Sequence, residues 1–277
     1  MSRRCVPLRC SGNTTTRSRR SGSMSTASAE APGTGEVRVE RSGDILTVTI
    51  DRPRRANALD AATVERLLTV VDTAGGDGTR ALVLRGAGRH FCAGFDMAGV
   101  LDSGEGDLLW RFVRIEQLLQ RLRRAPFVTV ACVGGKAIGA GADIVASCAY
   151  RLLDPRTTLR FPGFRFGVAL GTRHLAALVG TRAARDLLLH SSEVDAATAV
   201  RLGLGSAVVA REHQQEQAER ILAATGTVDL PSVAAILSRT ATVSDADDAA
   251  DLAALVTSLT RPGLRGRLAR YLGGTGD

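Results

Sequence analysis

Lysine is almost missing from this 277-residue chain: among 36 basic residues the only one is Lys136. The strong arginine and alanine bias resembles that of a GC-rich coding sequence more than selection for polyanion binding. Cysteine is scarce and scattered. Cys5, Cys10, Cys92, Cys132 and Cys148 show neither metal-ligand spacing nor a paired secretory framework. That excludes a disulfide scaffold and a zinc site, and it points to a reducing, cytoplasmic setting. No stretch approaches the roughly 20 uninterrupted apolar residues of a membrane span. No glycine-rich segment has dinucleotide or Walker spacing, and no GK[ST] triplet occurs, so a nucleotide-phosphate loop is disfavoured. No separate cofactor is expected.

What is present divides unevenly. Residues 1–35 hold Arg3, Arg4, Arg9, Arg17, Arg19 and Arg20 against Glu30 alone, a net +5 of the chain's +8. The remaining residues are nearly balanced, so nucleic acid is not the expected partner, although an RNA-binding role of the tail is a competing hypothesis. Ser, Thr, Arg and Gly dominate this tail, and it has almost nothing large and apolar to bury. Disorder is expected there, with Met24 as an alternative start. No apolar segment follows its arginine pairs, which argues against a secretory signal.

From Val37 the pattern changes. VRVE and ILTVTID alternate with period two around an RSGD turn. Asp60 then stands as N-cap to a helix whose Val64, Leu67, Leu68 and Val71 share a face, and Gly75 ends it. ALVLRG reads as a strand, and DLLWRFVRIEQLLQRLRR as a helix with Leu108, Phe112, Ile115, Leu119 and Leu122 on one stripe. PFVTVACVGG is a buried strand running into a glycine turn. Such alternation implies parallel pairing through right-handed crossovers. An α/β core over residues 36–200 and a helical C-terminal region over 201–277 are expected.

Two segments carry chemistry by their geometry. RHFCAGFDM (Arg89–Met97) follows one strand, and GGKAIGAGADIVASC (Gly134–Cys148) follows another. Small residues at strand-to-helix turns leave amide N–H groups free near a helix N-terminus, which is the geometry of an oxyanion site. Taken alone, either segment reads first as a tight packing turn.

Four segments in register resolve this ambiguity: DRPRRANALD, FCAGFDM, IGAGADIVASCAYRL and RAARDLLLHSSEVDAATAVRLGLGSAVV. In order and spacing they resemble the crotonase (enoyl-CoA hydratase/isomerase) family from about Val37 to Val209. The resemblance implies an α/β fold, a spiral of strand-strand-helix turns with a helical C-terminal appendage. It also implies a homotrimer or a dimer of trimers, and an acyl-CoA substrate whose coenzyme A is part of the substrate and not a cofactor. The thioester oxygen would lie between two backbone amides, which carry over to Ala93 and Ala140. Coenzyme A contacts carry over to Arg54, Arg55, Ala56 and Ala58 in the first segment, and to Cys92, Gly94, Phe95 and Asp96 in the second.

The acid-base positions depart from the family pattern. Hydratases of this kind carry two glutamates; here the first position holds Asp143 and the second falls on Gly163. Asp143 reads either as the proton-transferring group or as a first-turn carboxylate that favours the helix dipole. Hydration of a 2-enoyl thioester leads on family frequency. Isomerisation and decarboxylation need less of the missing acid, and a catalytically silent thioester binder needs none of it. His90 reads chiefly as an exposed loop residue, His174 as lying outside the active site, His190 and His213 as surface residues, and Cys92 as a small buried residue without an activating base. The acyl pocket should be walled by Met97–Trp110, with Phe161, Phe164 and Phe166 adding apolar surface.

Overall fold

A computed structural model of the chain describes residues 36–274. The tail expected over 1–35 lies outside the described residues. The chain opens with a hairpin of β1 (Val37–Ser42) and β2 (Ile45–Ile50), turned at Gly43, whose φ of 61° suits glycine. Next come α1 (Ala61–Ala74), β3 (Ala81–Gly86), α2 (Glu105–Arg123), β4 (Val128–Val133), β5 (Lys136–Ile138), α3 (Ala140–Ser147), β6 (Tyr150–Leu153) and β7 (Thr158–Arg160). Helices α4 (Thr172–Val179) and α5 (Thr181–His190), strand β8 (Val194–Asp195), α6 (Ala196–Arg201) and β9 (Ala207–Val208) follow. The described chain ends in α7 (Gln214–Thr225), α8 (Leu230–Arg239), α9 (Asp245–Thr260) and α10 (Leu264–Gly273).

The large sheet has the order β1-β2-β3-β4-β6-β9, antiparallel only at its first pair, and the small sheet runs β5-β7-β8. Two successive turns give their first strand to the large sheet and their second to the small one, β4 then β5 and β6 then β7. This is the expected spiral. The period-two alternation sorts side chains cleanly. Leu82, Leu84, Ala131, Val133 and Leu153 join the core under α1 and α2. Ala81, Val83, Val128, Val130, Cys132 and Leu152 face Ala218 of α7 and Val233 of α8.

The expected helix signals are realised. Asp60 accepts from the Thr63 N–H at 2.8 Å, Gly75 caps the other end of α1, and Leu108, Phe112, Ile115, Leu119 and Leu122 are all buried along α2. The boundary near residue 200 is where the structure differs. Residues beyond it are helical, yet β9 adds a sixth strand beside β6 and α7 covers the second face of the sheet. They complete the core. No single described helix is long and apolar enough to cross a membrane.

One charge cluster ties the first third of the chain together. Arg52, only 9% exposed, pairs with Asp96 at 2.9 Å, Asp60 at 2.9 Å and Glu36 at 2.8 Å, and also donates to the Ala58 carbonyl. Removing one member of a buried, hydrogen-bonded pair leaves a desolvated charge and costs about 3–5 kcal/mol. The more exposed Glu36 and Asp60 add little. Arg52→Met should therefore lower the melting temperature by on the order of 10 °C. Differential scanning calorimetry checks this, and a change within a degree or two would assign the cluster to the surface.

Candidate functional site

The site is built where two loops touch backbone to backbone. A Cβ placed on Gly94 would stand 2.4 Å from the Ile138 carbonyl oxygen, and one on Gly141 would stand 2.3 Å from that of Cys92. Only glycine permits this approach. Cys92 and Ala137 form a bridge between the loops, and the Ile138 N–H donates to Cys92 at 2.9 Å. Gly139, with φ of 53°, turns β5 directly into α3. Asn57 fixes the first loop from below: it is wholly buried, left-handed at φ 58°, and donates to the carbonyls of Ala87 (2.9 Å) and His90 (2.7 Å).

The structure corrects one of the two expected oxyanion donors. The Ala93 N–H is already spent on the Ala56 carbonyl at 2.9 Å, so it has no hydrogen to offer an incoming oxygen. Gly94 and Asp96 engage Leu59 on one side of the strand-like segment, through Leu59 N–H to Gly94 O (2.7 Å) and Asp96 N–H to Leu59 O (3.0 Å). The Phe95 N–H lies between them on the other side. Among the described residues it has no acceptor, and neither has the N–H of Ala140, the first residue of α3. Ala140 is not among the residues with positive φ, so alanine is unstrained where Gly139 has already made the turn.

Ala93, Phe95, Ala140 and Asp143 all line one cavity of about 120 Å³. Its other walls are almost wholly apolar and include Phe112, Ile138, Phe161, Phe166 and Leu170. Phe95 stacks on Phe112 with ring centroids 4.2 Å apart, which fixes the plane of that wall. Asp143 is the only carboxyl on the lining, and its side chain has no hydrogen-bond partner among the described residues. Gly171 packs onto it so closely that an added Cβ would lie 2.5 Å from Oδ1. Burial pushes the Asp143 carboxyl well above the ordinary carboxylate range, and the charge of Glu116 adds to this while Arg123 opposes it. Gly163, at the expected place of the second acid, also lines the cavity and brings no proton donor.

The remaining sequence candidates sort by burial. Arg54 and Arg55 stand exposed on the short helical turn Pro53–Arg55, and Ala56 follows it in a left-handed conformation. Ala58, Cys92 and Asp96 are buried, and Asp96 is locked to Arg52; these side chains do not reach a ligand surface. Burial raises the Cys92 thiol to about 12, which leaves it inert as a nucleophile. His90 accepts from the Lys136 N–H at 3.2 Å, and burial lowers its pKa. His174 is buried against the Ala146 carbonyl at 2.9 Å, held neutral with its pKa lowered to about 4, and lies outside this cavity. His190 and His213 are exposed.

Of the stretch Met97–Trp110, only Met97 reaches the cavity, whereas Phe161, Phe164 and Phe166 all do. Trp110 is 56% exposed. Phe112, Gly171 and Tyr271, the last delivered by α10, were not singled out as site residues from sequence. The buried Glu116 was missed as well, although a charge amid the apolar stripe of α2 was the available signal.

Comparison with known proteins agrees with this architecture. The enoyl-CoA hydratase/isomerase family matches residues 40–250. A probable enoyl-CoA hydratase, echA6, of Mycobacterium tuberculosis is 32% identical over 175 residues, covering 62% of this chain and 70% of the relative. An ethylmalonyl-CoA decarboxylase of Gallus gallus is 32% identical over 184 residues, 63% of this chain and 60% of the relative. The crystal structure of an enoyl-CoA hydratase/isomerase from Bordetella parapertussis superposes with a TM-score of 0.82 at 38% identity, covering 86% of this chain and 98% of that one. The fold, the paired loops and these likenesses together place the chain in the enoyl-CoA hydratase/isomerase, or crotonase, family.

Proposed function

We propose that the chain acts on acyl-CoA thioesters through an enolate, with the amides of Phe95 and Ala140 holding the thioester oxygen and Asp143 transferring a proton at the adjacent carbon. The observation that carries this is a single unpaired carboxyl, pushed by burial toward its protonated form, in an apolar cavity that two free amides also line. Each amide aimed at a developing oxyanion is worth about 3 kcal/mol in a site closed to water. The N-terminus of α3 adds its dipole at the same place. Exposed Arg54 and Arg55 suit the coenzyme's phosphates. Assembly as a homotrimer or a dimer of trimers belongs to the same reading, and sedimentation of the 29.1 kDa chain tests it.

Among reactions of this class, a lone carboxyl that burial biases toward its protonated form favours loss of carbon dioxide from a 2-carboxyacyl (malonyl-type) thioester. The bond between Cα and the carboxylate carbon breaks, and carbon dioxide leaves. The electron pair forms the enolate, and Asp143 then delivers its proton to Cα and is reprotonated from solvent. An Asp143 biased toward its protonated form repels the substrate's carboxylate less than an ordinary carboxylate would, and the apolar walls weaken the substrate carboxylate's solvation. Hydration is the second reading, supported by the names of the mycobacterial and Bordetella relatives. It needs Asp143 ionised to activate water, and no second acid lines the cavity to protonate Cα. Mass spectrometry of a thioester panel in deuterated water separates the two. Carbon dioxide loss with one deuterium at Cα supports the first, and gain of water supports the second. Thioester binding without turnover across the panel would sink both.

The two readings also predict opposite pH profiles. Proton donation declines as pH rises through the raised pKa of Asp143, whereas water activation increases over the same range. The linkage sign is independent of substrate. A carboxyl with a raised folded-state pKa binds its proton more tightly when folded, so it costs stability above the ordinary carboxylate pKa. Asp143→Asn should therefore raise the melting temperature more at pH 8 than at pH 4, while lowering turnover by about 100-fold or more. Equal shifts at both pH values would mean that Asp143 is ionised in the folded protein.

Ala140 offers a clean test of the oxyanion hole. Proline is tolerated at the first position of a helix and has no N–H. Ala140→Pro should cut the rate by about 100- to 1,000-fold with the fold intact by circular dichroism. Ala140→Gly keeps the donor and should cost at most about 1 kcal/mol of stability. If the two variants had equal rates, the Ala140 amide would not be a donor.

A further inference from the structure

A second cavity, of about 440 Å³, lies at the opposite end of α3 from the thioester site. Arg123, Arg124 and Arg151 line it together with His174, and no aspartate or glutamate does. The facing wall is apolar, with Leu178 and Ile236 upon it. The three arginines are not equally compensated. Arg123, its side chain 4% exposed, shares one nitrogen, Nη2, between Glu116 (3.1 Å) and Asp248 (3.0 Å). Arg124 pairs with Asp248 at 2.9 Å and with Asp245, which is fully in water. Arg151 has no ion-pair partner among the described residues. Its Nη1 donates to the carbonyls of Cys148 (2.6 Å) and Ala149 (3.3 Å) at the C-terminal end of α3.

Donors are left over on this set of side chains. Nε and Nη1 of Arg123, Nη2 of Arg124 and Nε of Arg151 are buried donors without a hydrogen-bond partner, and Nδ1 of the neutral His174, whose Nε2 donates to the Ala146 carbonyl, is a buried acceptor without one. Of six such atoms among the described residues, five belong to residues on this one cavity. Each buried donor left unmade costs about 1–3 kcal/mol, and an uncompensated guanidinium in a desolvated place costs more. A cluster of this kind is stabilised by an anion, to which a guanidinium presents several donors at once. The volume is in the range of small-molecule sites, and the apolar wall accommodates a hydrocarbon body.

We propose that this cavity is a second ligand site that takes an organic oxyanion, a carboxylate or phosphate head on an apolar body, with Arg151 as the principal anchor and Ile236 against the body. It is independent of the reaction assigned to the first cavity, whose lining shares no residue with it.

Isothermal titration with octanoate, octyl phosphate and inorganic phosphate tests the proposal on the full chain. Octanoate and octyl phosphate should bind at one site per chain, and more tightly than inorganic phosphate, which lacks the apolar body. Arg151→Gln should weaken both by about 10-fold or more, the scale of a lost charged hydrogen bond. Because Arg151 also caps α3, Ile236→Trp is the second variant: it fills the cavity from its exposed apolar side and should abolish binding with every arginine in place. Saturation with acetyl-CoA should leave octanoate binding unchanged. Failure of both octyl probes to bind at millimolar concentration would overturn the proposal. So would binding that survives Ile236→Trp, or that acetyl-CoA displaces.

Discussion

The site depends on a contact that no side chain makes: the backbone of the loop after β3 lies against the backbone at the start of α3, with Gly94 under Ile138 and Gly141 under Cys92. A single methyl group at either glycine would force the loops apart, because the atoms it would meet are main-chain carbonyls that cannot swing aside. Because the loops touch, Phe95 and Ala140 reach the same cavity although 45 residues separate them in sequence. The parallel pairing of β3 with β4 sets the loops side by side at the same end of the sheet. Asn57 and Arg52 then hold the first loop to the hairpin that opens the described chain.

Helix α3 carries the electrical consequence. Its N-terminal residue offers an unpaired amide to the cavity, Asp143 hangs in its first turn, and Arg151 closes its C-terminal carbonyls. An ionised carboxylate in the first turn would suit the dipole, yet burial among Phe and Leu outweighs that gain and pushes the group toward its protonated form. Desolvation of a full charge costs several kcal/mol, whereas the dipole returns about 1 kcal/mol. Both sequence readings of Asp143 place it correctly, and the packing decides its protonation. Glu116, buried one helical turn from Phe112, adds a second reason for the proton to stay.

The fold was largely legible because its signals are local. Period-two strands, the Asp60 cap and the glycine turns each sit within a few residues of the element they specify. The site was legible as far as segments and not as far as atoms. Spacing located CAGF, but which of its amides is free depends on the Ala56 carbonyl, some 37 residues earlier, which takes the Ala93 hydrogen. The acidic, glycine-rich run after Met97 looked like a wall, yet Leu101 and Trp110 point outward and α10 supplies Tyr271 instead. A helix packing back from the far end of the chain leaves no trace in the local pattern. Likewise the period of α2 marks its buried face but does not explain why Glu116 lies on it; the answer, Arg123 and Asp248, needs α9 in place.

The second acid is missing for a reason deeper than one codon. Gly163 opens the short helical turn Gly163–Phe166, and a Cβ there would come within 2.9 Å of the Val168 carbonyl oxygen. The Val168 N–H in turn donates to the Gly163 carbonyl at 3.0 Å, so the turn is closed upon itself. Phe166 and Val168, set by that closure, are cavity walls. A glutamate at 163 would have to displace the carbonyl, open the turn and move the walls with it. The loop is therefore shaped around having no side chain at that position, and the cavity has given up a polar group in exchange for a continuous apolar surface. A cavity organised in this way has a single carboxyl on its lining, so under the proposed reading its chemistry has to be completed by what the substrate itself brings.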